Sequence, residues 1–116
     1  MKGGPTSNPT TGRAAAAIDA DPGAPAPGDR GAIVALLDRA MAQAARERAG
    51  DSREAEAVDL HVSFLRPVAG RIVAEGRAVG GGRSTCFCEA RLVGAGGDIA
   101  AQAMGTYRYR EAAAAP

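Results

Sequence analysis

The sequence predicts an α+β domain in which one long helix packs on an antiparallel sheet. Three observations support this fold class: one segment has helical periodicity, four later segments alternate with a period of two, and short glycine-rich connections join those four. Such short connections favour antiparallel hairpins. Because one helix can cover only one face of the resulting sheet, we expect a two-layer domain.

The helix is the clearest element. Apolar residues recur at helical spacing between Ile33 and Ala45. Asp29 is a suitable N-cap, and Gly50 stands where the end of a helix favours glycine. The helix is therefore predicted over residues 30–49.

The strands follow the helix. Val58 to Phe64 alternates apolar and polar residues, which is typical of a half-buried strand. The four predicted strands cover residues 58–64, 71–79, 84–93 and 99–110. A fifth, weaker strand is predicted at 13–19, before the proline-rich loop 21–28; it is weaker because alanine is depleted in strands.

The 116 residues fit one domain. Residues 1–12 are rich in proline, glycine and small polar residues, which predicts a flexible arm. The domain itself is predicted over residues 13–110, and residues 111–116 are predicted to form a flexible tail.

Charge and hydropathy exclude several classes of protein. The net charge is +1 with mixed signs along the chain, so nucleic acid is not an expected partner. No apolar run approaches the ~20 residues that span a bilayer, and the N-terminal apolar stretch is too short for a signal peptide. We expect a cytoplasmic protein that does not bind membranes.

The two cysteines, Cys86 and Cys88, lie two residues apart on a predicted strand and should point to the same face. We expect reduced, partly buried thiols. A zinc site would need more ligands than this pair and His61 supply, so no metal is expected. His61 has no serine or cysteine partner at a recognisable spacing and is left out of the mechanism.

Asp38 is the first candidate for chemistry. At about 100° per residue it falls at the margin of the apolar arc of the helix, near Val34, Met41 and Ala45. Partial desolvation would make this carboxylate more basic, as a general base or carboxylate nucleophile requires. The alternative is an Asp on the helix surface that reaches water.

The start of the helix is the second candidate. Backbone N–H groups of Arg30 and Gly31 lie in the first turn, where amides lack partners within the helix and can hold a developing oxyanion. The alternative is an ordinary capped helix start.

Several segments together resemble the phenylacetate-degradation-type hotdog thioesterases. They are GAIVALLDRAM (31–41), VDLHVSFLRP (58–67), GRIVAEGRAVG (70–80), GGRSTCFCEARLV (81–93) and IAAQAMGTY (99–107). The resemblance implies a hotdog fold, a curved antiparallel sheet wrapped around one long central helix. It also implies a homodimer or homotetramer whose active sites lie between subunits and use neither metal nor bound cofactor.

The resemblance also assigns roles to residues. The family's helix Asp, which activates water or attacks the thioester carbonyl, matches Asp38. The family's His-Gly-Gly motif matches Asp29, Arg30 and Gly31, so only its second glycine is kept. Arg39 stands where relatives often have a small hydroxyl residue. Gly31 and the Arg30 amide would then hold the thioester oxygen.

The function that these expectations favour is hydrolysis of a small or medium acyl-CoA. The alternative is a non-catalytic hotdog domain that binds acyl-CoA or a related ligand, or serves as a structural partner; the altered Asp-Arg-Gly motif motivates it. A hotdog hydratase is less favoured, because no Asp and His are paired at the expected local spacing.

Overall fold

The computed structural model describes residues 15–20, 30–68 and 70–112. Its elements are β1 (Ala15–Ala20), α1 (Arg30–Ala49), β2 (Glu54–Phe64), β3 (Ile72–Gly81), β4 (Thr85–Gly94) and β5 (Ile99–Arg110). The predicted arm at 1–12, the proline-rich loop at 21–28, the Asp29 cap and the end of the tail lie outside the described residues.

Helix α1 has the predicted bounds. It ends at Ala49, and the following residue, Gly50, has a φ of 70° in the left-handed region and donates its N–H to the carbonyl oxygen of Arg46 at 3.0 Å. Arg46 and Arg48 in the last turn complement the negative end of the helix dipole. The predicted glycine C-cap is therefore confirmed.

The five strands form one sheet in the order β1-β3-β4-β5-β2, and every neighbouring pair is antiparallel. Strands β1 and β2 are its edges. The bounds predicted for β5 are confirmed, and β3 and β4 each differ from prediction by one or two residues. With one helix on one face, the predicted two-layer α+β architecture is confirmed.

Strand β2 begins four residues before its predicted start at Val58. Its first residues lack apolar alternation, but they pair with the end of β5. The Glu56 carboxylate accepts hydrogen bonds from Arg108 and Arg110 at 3.0 and 3.2 Å. Cross-strand ion pairs therefore extend the strand where the hydrophobic pattern gives no signal.

The alternation predicted from Val58 to Phe64 is interrupted by a β-bulge. The register with β5 shifts between Ala57 and Asp59, so Val58 is an extra residue on β2. Ala57 pairs with Tyr107 and Leu60 pairs with Gly105, which places both on the face of the sheet that the helix covers elsewhere. Val58 therefore has no partner on β5, and the regular pairing of the predicted segment runs from Asp59 to Phe64.

The core lies between α1 and the inner faces of β3, β4 and β5. The helix approaches β3 so closely that a Cβ added to Gly76 would lie 2.5 Å from the carbonyl oxygen of Ala40. This contact fixes the distance between the helix and the sheet. The largest fully buried side chains are those of Tyr107, Leu37, Met41, Leu92, Cys86 and Cys88.

Candidate active site

Asp38 lies at the seam between α1 and β5, and its side chain is half-buried. The hydroxyl of Tyr107 donates a hydrogen bond to Asp38 Oδ1 at 2.6 Å and lies 3.3 Å from the Asp38 backbone oxygen. Within the part of the chain that the structure describes, no donor is bound to Asp38 Oδ2. Within these residues, the carboxylate thus has one oxygen held by a short hydrogen bond and one that accepts none.

The position of Tyr107 depends on a glycine next to it on the strand. A Cβ added to Gly105 would lie 3.1 Å from Tyr107 Cε1 and 2.9 Å from Leu60 Cδ2. The tyrosine ring and the leucine side chain therefore both rest against the bare backbone of Gly105. This packing fixes the direction from which the Tyr107 hydroxyl reaches the helix.

The electrostatic setting keeps Tyr107 protonated. Burial is the main cause that raises the pKa of Tyr107 above its ordinary value, and the hydrogen bond and charge of Asp38 raise it further. A phenol whose pKa is raised stays neutral at physiological pH, so this hydroxyl is a constant donor to the carboxylate.

The start of the helix lies away from Asp38. Arg30 and Gly31 are exposed, and the Arg30 guanidinium carbon is 4.9 Å from the centroid of the Phe64 ring. Gly31 precedes Asp38 by seven residues, which corresponds to about 10 Å along the helix axis. The structure therefore brings Asp38 together with Tyr107, and leaves the two other predicted site residues two turns away.

An apolar surface adjoins the seam on its open side. Leu60 and Phe64 belong to the inner face of β2, yet they are 36% and 38% exposed, although Arg30 at the start of the helix lies over the Phe64 ring. Leu60 also rests against Gly105, beside the Tyr107 ring. We call Leu60 and Phe64, together with Ala57 on the same face, the open apolar edge.

The other residues singled out from the sequence lie elsewhere. His61 pairs with Met104, and Asp59 pairs with Thr106, on the outer face of the sheet. The Asp59 carboxylate accepts a hydrogen bond from the Thr106 amide at 3.2 Å. The sheet therefore separates the side chains of His61 and Asp59 from the seam where Asp38 lies.

Cys86 and Cys88 are free, buried thiols on the inner face of β4, with their Sγ atoms 3.7 Å apart. The Cys88 thiol is the main cause that lowers the pKa of Cys86 to about 6, and the Tyr109 hydroxyl and Arg48 guanidinium lower it further against the opposing effect of burial. Among the described residues, no three His, Cys, Asp or Glu side chains form a group that could hold a metal ion.

The sequence-based reasoning missed Tyr107 and Gly105. The chain contains only two tyrosines, and Tyr107 occupies an inner-face position of the last strand. A tyrosine buried on such a face normally finds a partner for its hydroxyl, which was the available signal.

The fold and the seam define a class: a hotdog-type α+β domain with a half-buried carboxylate beside an apolar edge. A comparison with protein-family models gives a match to the thioesterase superfamily over residues 30–101. Because this match covers more than half of the chain, the protein belongs to the thioesterase superfamily.

Several solved structures share the fold of this chain. The PaaI protein from the phenylacetic acid degradation operon of Escherichia coli is 20% identical, with a TM-score of 0.69 over 85% of this chain and 73% of that one. A thioesterase from Haemophilus influenzae is 18% identical, with a TM-score of 0.72 over 84% and 71%. A Bacillus halodurans protein solved with CoA is 22% identical, with a TM-score of 0.66 over 69% and 57%.

These likenesses show the fold, and the hotdog fold that the resemblance implied is confirmed. The narrower phenylacetate-degradation type stays a prediction. A search of the curated proteins finds no significant match. No helix in the described segments is long and apolar enough to cross a membrane.

Proposed function

We propose that this protein is a thioesterase that hydrolyses small or medium acyl-CoA molecules, with Asp38 as its base or nucleophile. The observation that carries the proposal is the half-buried Asp38 carboxylate, which is held at Oδ1 by Tyr107, whose ring lies beside Leu60 of the open apolar edge. The family assignment and the CoA held by the Bacillus halodurans neighbour support the substrate class.

In the proposed reaction, Asp38 Oδ2 takes a proton from a water molecule as the water oxygen attacks the thioester carbonyl carbon. The carbonyl oxygen becomes an oxyanion, which backbone amides at a helix start stabilise. The C–S bond then breaks, and the proton held by Asp38 passes to the CoA sulfur. The products are the carboxylic acid and free CoA thiol. If Asp38 attacks directly, water hydrolyses the resulting anhydride and the same products form.

Geometry favours a site built from two copies of the chain. The N–H groups at a helix start point away from the helix along its axis, so an oxygen bound to Gly31 would lie beyond the ~10 Å that separate Gly31 from Asp38. Reaction requires the carbonyl carbon to lie within about 3.5 Å of the attacking atom. We therefore propose that Gly31 and the Arg30 amide of one copy act with Asp38 of another.

The open apolar edge supports such an assembly. Strand β2 is an edge strand whose inner-face side chains Leu60 and Phe64 are exposed, and uncovered apolar edges favour pairing with another chain. We propose a homodimer joined along β2, which can pair again into a tetramer.

The activity is tested with a panel of acyl-CoA substrates of increasing chain length, hydrolysed by the wild type and by Asp38→Asn. We expect kcat to fall about 10²- to 10⁴-fold in the variant, the usual contribution of a positioned base. Asp59→Asn is the matched control, because it makes the same change on the outer face of the sheet. Equal rates for wild type and Asp38→Asn would remove Asp38 from the mechanism.

The assembly is tested by the solution mass of Leu60→Asp. A charge at the open apolar edge should convert the dimer to a monomer and reduce hydrolysis with it. Met104→Asp is the control, since Met104 is also exposed but lies on the outer face; this variant should remain at least a dimer. A wild type that is monomeric at micromolar concentration would contradict the composite site.

A second candidate function is non-catalytic binding of acyl-CoA. The observation that favours it is Arg30, whose guanidinium lies over Phe64 where the family motif has a glycine. Saturable binding of acyl-CoA without turnover would support this function, and clear turnover would exclude it. The cytoplasmic location stays a prediction.

A further inference from the structure

Two tyrosines on β5 connect the sheet to α1 in different ways. Tyr107 donates its hydrogen bond to the side chain of Asp38, at 2.6 Å. Tyr109 donates to the backbone carbonyl oxygen of Ala45, also at 2.6 Å. The two residues are buried on the same face of the same strand, two positions apart. Tyr109 joins the strand to the helix backbone, whereas Tyr107 holds a side chain whose second oxygen has no donor among the described residues.

We propose that Tyr107 is the positioning residue of the site, holding Asp38 Oδ1 so that Oδ2 faces the reacting atoms. This inference rests on the proposed function, since it assigns Tyr107 a role only through Asp38. It adds a residue from the last strand to a site otherwise drawn entirely from the helix.

The carboxylate needs such a partner to have a fixed direction. The terminal torsion of an Asp side chain is broad and roughly two-fold, so an unanchored carboxylate presents either oxygen over a range of angles. A short O–H···O⁻ bond is among the stronger hydrogen bonds in proteins. One such bond is enough to distinguish the two oxygens and limit the rotation.

The anchor itself is rigid. The Tyr107 side chain is fully buried, and its ring rests against Gly105, where there is no Cβ to displace it. The hydroxyl also lies 3.3 Å from the backbone oxygen of Asp38, so it meets the helix at a single residue. Because burial keeps the phenol protonated, the anchor does not switch off in the pH range where a thioesterase works.

Tyr107→Phe removes the hydroxyl and keeps the packed ring. Since Asp38 is half-buried, the released carboxylate can turn toward water, and the chain should still fold. Misdirecting a catalytic group by about 1 Å costs up to roughly 100-fold in rate. We expect kcat to fall by about 10- to 100-fold, with KM changed by less than about threefold, because the effect falls on the reacting geometry.

The test compares the wild type with four variants on the best acyl-CoA of the panel: Tyr107→Phe, Tyr109→Phe, Asp38→Asn, and Asp38→Asn combined with Tyr107→Phe. Tyr109→Phe is the matched control, because it deletes an equally short hydrogen bond to the same helix; its kcat should stay within about threefold of the wild type. Thermal unfolding of each variant accompanies the kinetics.

The double variant separates positioning from support of the fold. If Tyr107 acts through Asp38, removing its hydroxyl in the Asp38→Asn background should cause no further loss of kcat. A loss of the same factor in both backgrounds would overturn the inference. So would equal kcat values for Tyr107→Phe and Tyr109→Phe, or a Tyr107→Phe chain that does not fold.

Failure of the inference differs from failure of the proposed function. An active wild type whose kcat depends on Asp38 but not on the Tyr107 hydroxyl would overturn the inference alone. A wild type that hydrolyses no acyl-CoA would overturn both.

Discussion

The inner face of the sheet has two apolar regions with opposite surroundings. On β3 and β4, side chains such as Ala74 and Leu92 are fully buried beneath α1. On β2, Leu60 and Phe64 belong to the same face but remain more than a third exposed. Apolar character alone therefore does not make a core, because these two side chains keep more than a third of their surface exposed on the face that buries Ala74 and Leu92.

The candidate site lies on the boundary between these regions. Tyr107 is fully buried, like the residues of β3 and β4 beneath the helix, which we call the covered half. Asp38, which accepts the hydrogen bond of the Tyr107 hydroxyl, is half-buried. A carboxylate at such a boundary is held firmly from one side and approached from the other. We expect substitutions in the covered half to change stability, and substitutions at the open apolar edge to change assembly and activity.

We expect the largest difference in stability between alanine variants of two leucines, one from each region. Leu92→Ala removes a fully buried side chain and should lower the free energy of unfolding by about 2–5 kcal/mol. Leu60→Ala, measured by urea denaturation at a concentration low enough to keep the chain monomeric, should lower it by less than about 1 kcal/mol. Equal losses of unfolding free energy in the two variants would show that Leu60 is buried within one chain, contrary to its observed exposure.

The next effect tests how closely the helix lies on the covered half. A Cβ at Gly76 would be 2.5 Å from the Ala40 carbonyl oxygen, so Gly76→Ala should lower the free energy of unfolding by about 1–3 kcal/mol.

Gly80→Ala on the same strand is the control for this prediction. A Cβ there would be 4.0 Å from Phe87 Cδ2, an ordinary contact, so its effect should be within about 1 kcal/mol of zero. A neutral Gly76→Ala would mean that the helix is not seated directly on β3.

The third comparison varies the pH and concerns the buried thiols of the covered half. The pKa of Cys86 is about 6 in the folded chain, below its ordinary value of 9.0. A depressed pKa means that the unfolded chain binds more protons between these values, so the free energy of unfolding should rise from pH 6 to pH 9 and lose that contribution as the pH falls through 6.

Cys86→Ala is the matching variant for the pH prediction. Without this thiol, the rise in the free energy of unfolding between pH 6 and pH 9 should become smaller, as measured by urea denaturation at a series of pH values. A rise of the same size in the variant and in the wild type would show that another group is responsible.

The sequence predicted the elements better than the contacts between them. Both ends of α1 and of β5 follow from periodicity and, for the helix end, from Gly50. The first four residues of β2 were missed by the sequence prediction. Their pairing depends on contacts of Glu56 with arginines of β5, some 50 residues away in sequence. Strand pairing of this kind leaves no local pattern.

The candidate site follows the same division. The margin of the apolar arc identified Asp38 from neighbouring residues on one helix. Its partner Tyr107 lies 69 residues further along the chain, and no spacing rule connects the two. Their contact depends on the register of β5 and on the space left by Gly105, both of which are properties of the folded sheet.

Mixing two inactive variants distinguishes a site that joins Asp38 of one copy to the helix start of another from a site within one chain. Asp38→Asn lacks the carboxylate, and Gly31→Pro lacks one amide hydrogen in a turn that tolerates proline. After the two are mixed and allowed to exchange subunits, half of the dimers are heterodimers, each with one intact composite site. With a composite site, the mixture should recover about one quarter of wild-type hydrolysis. No recovery from a mixture shown to contain heterodimers would contradict it.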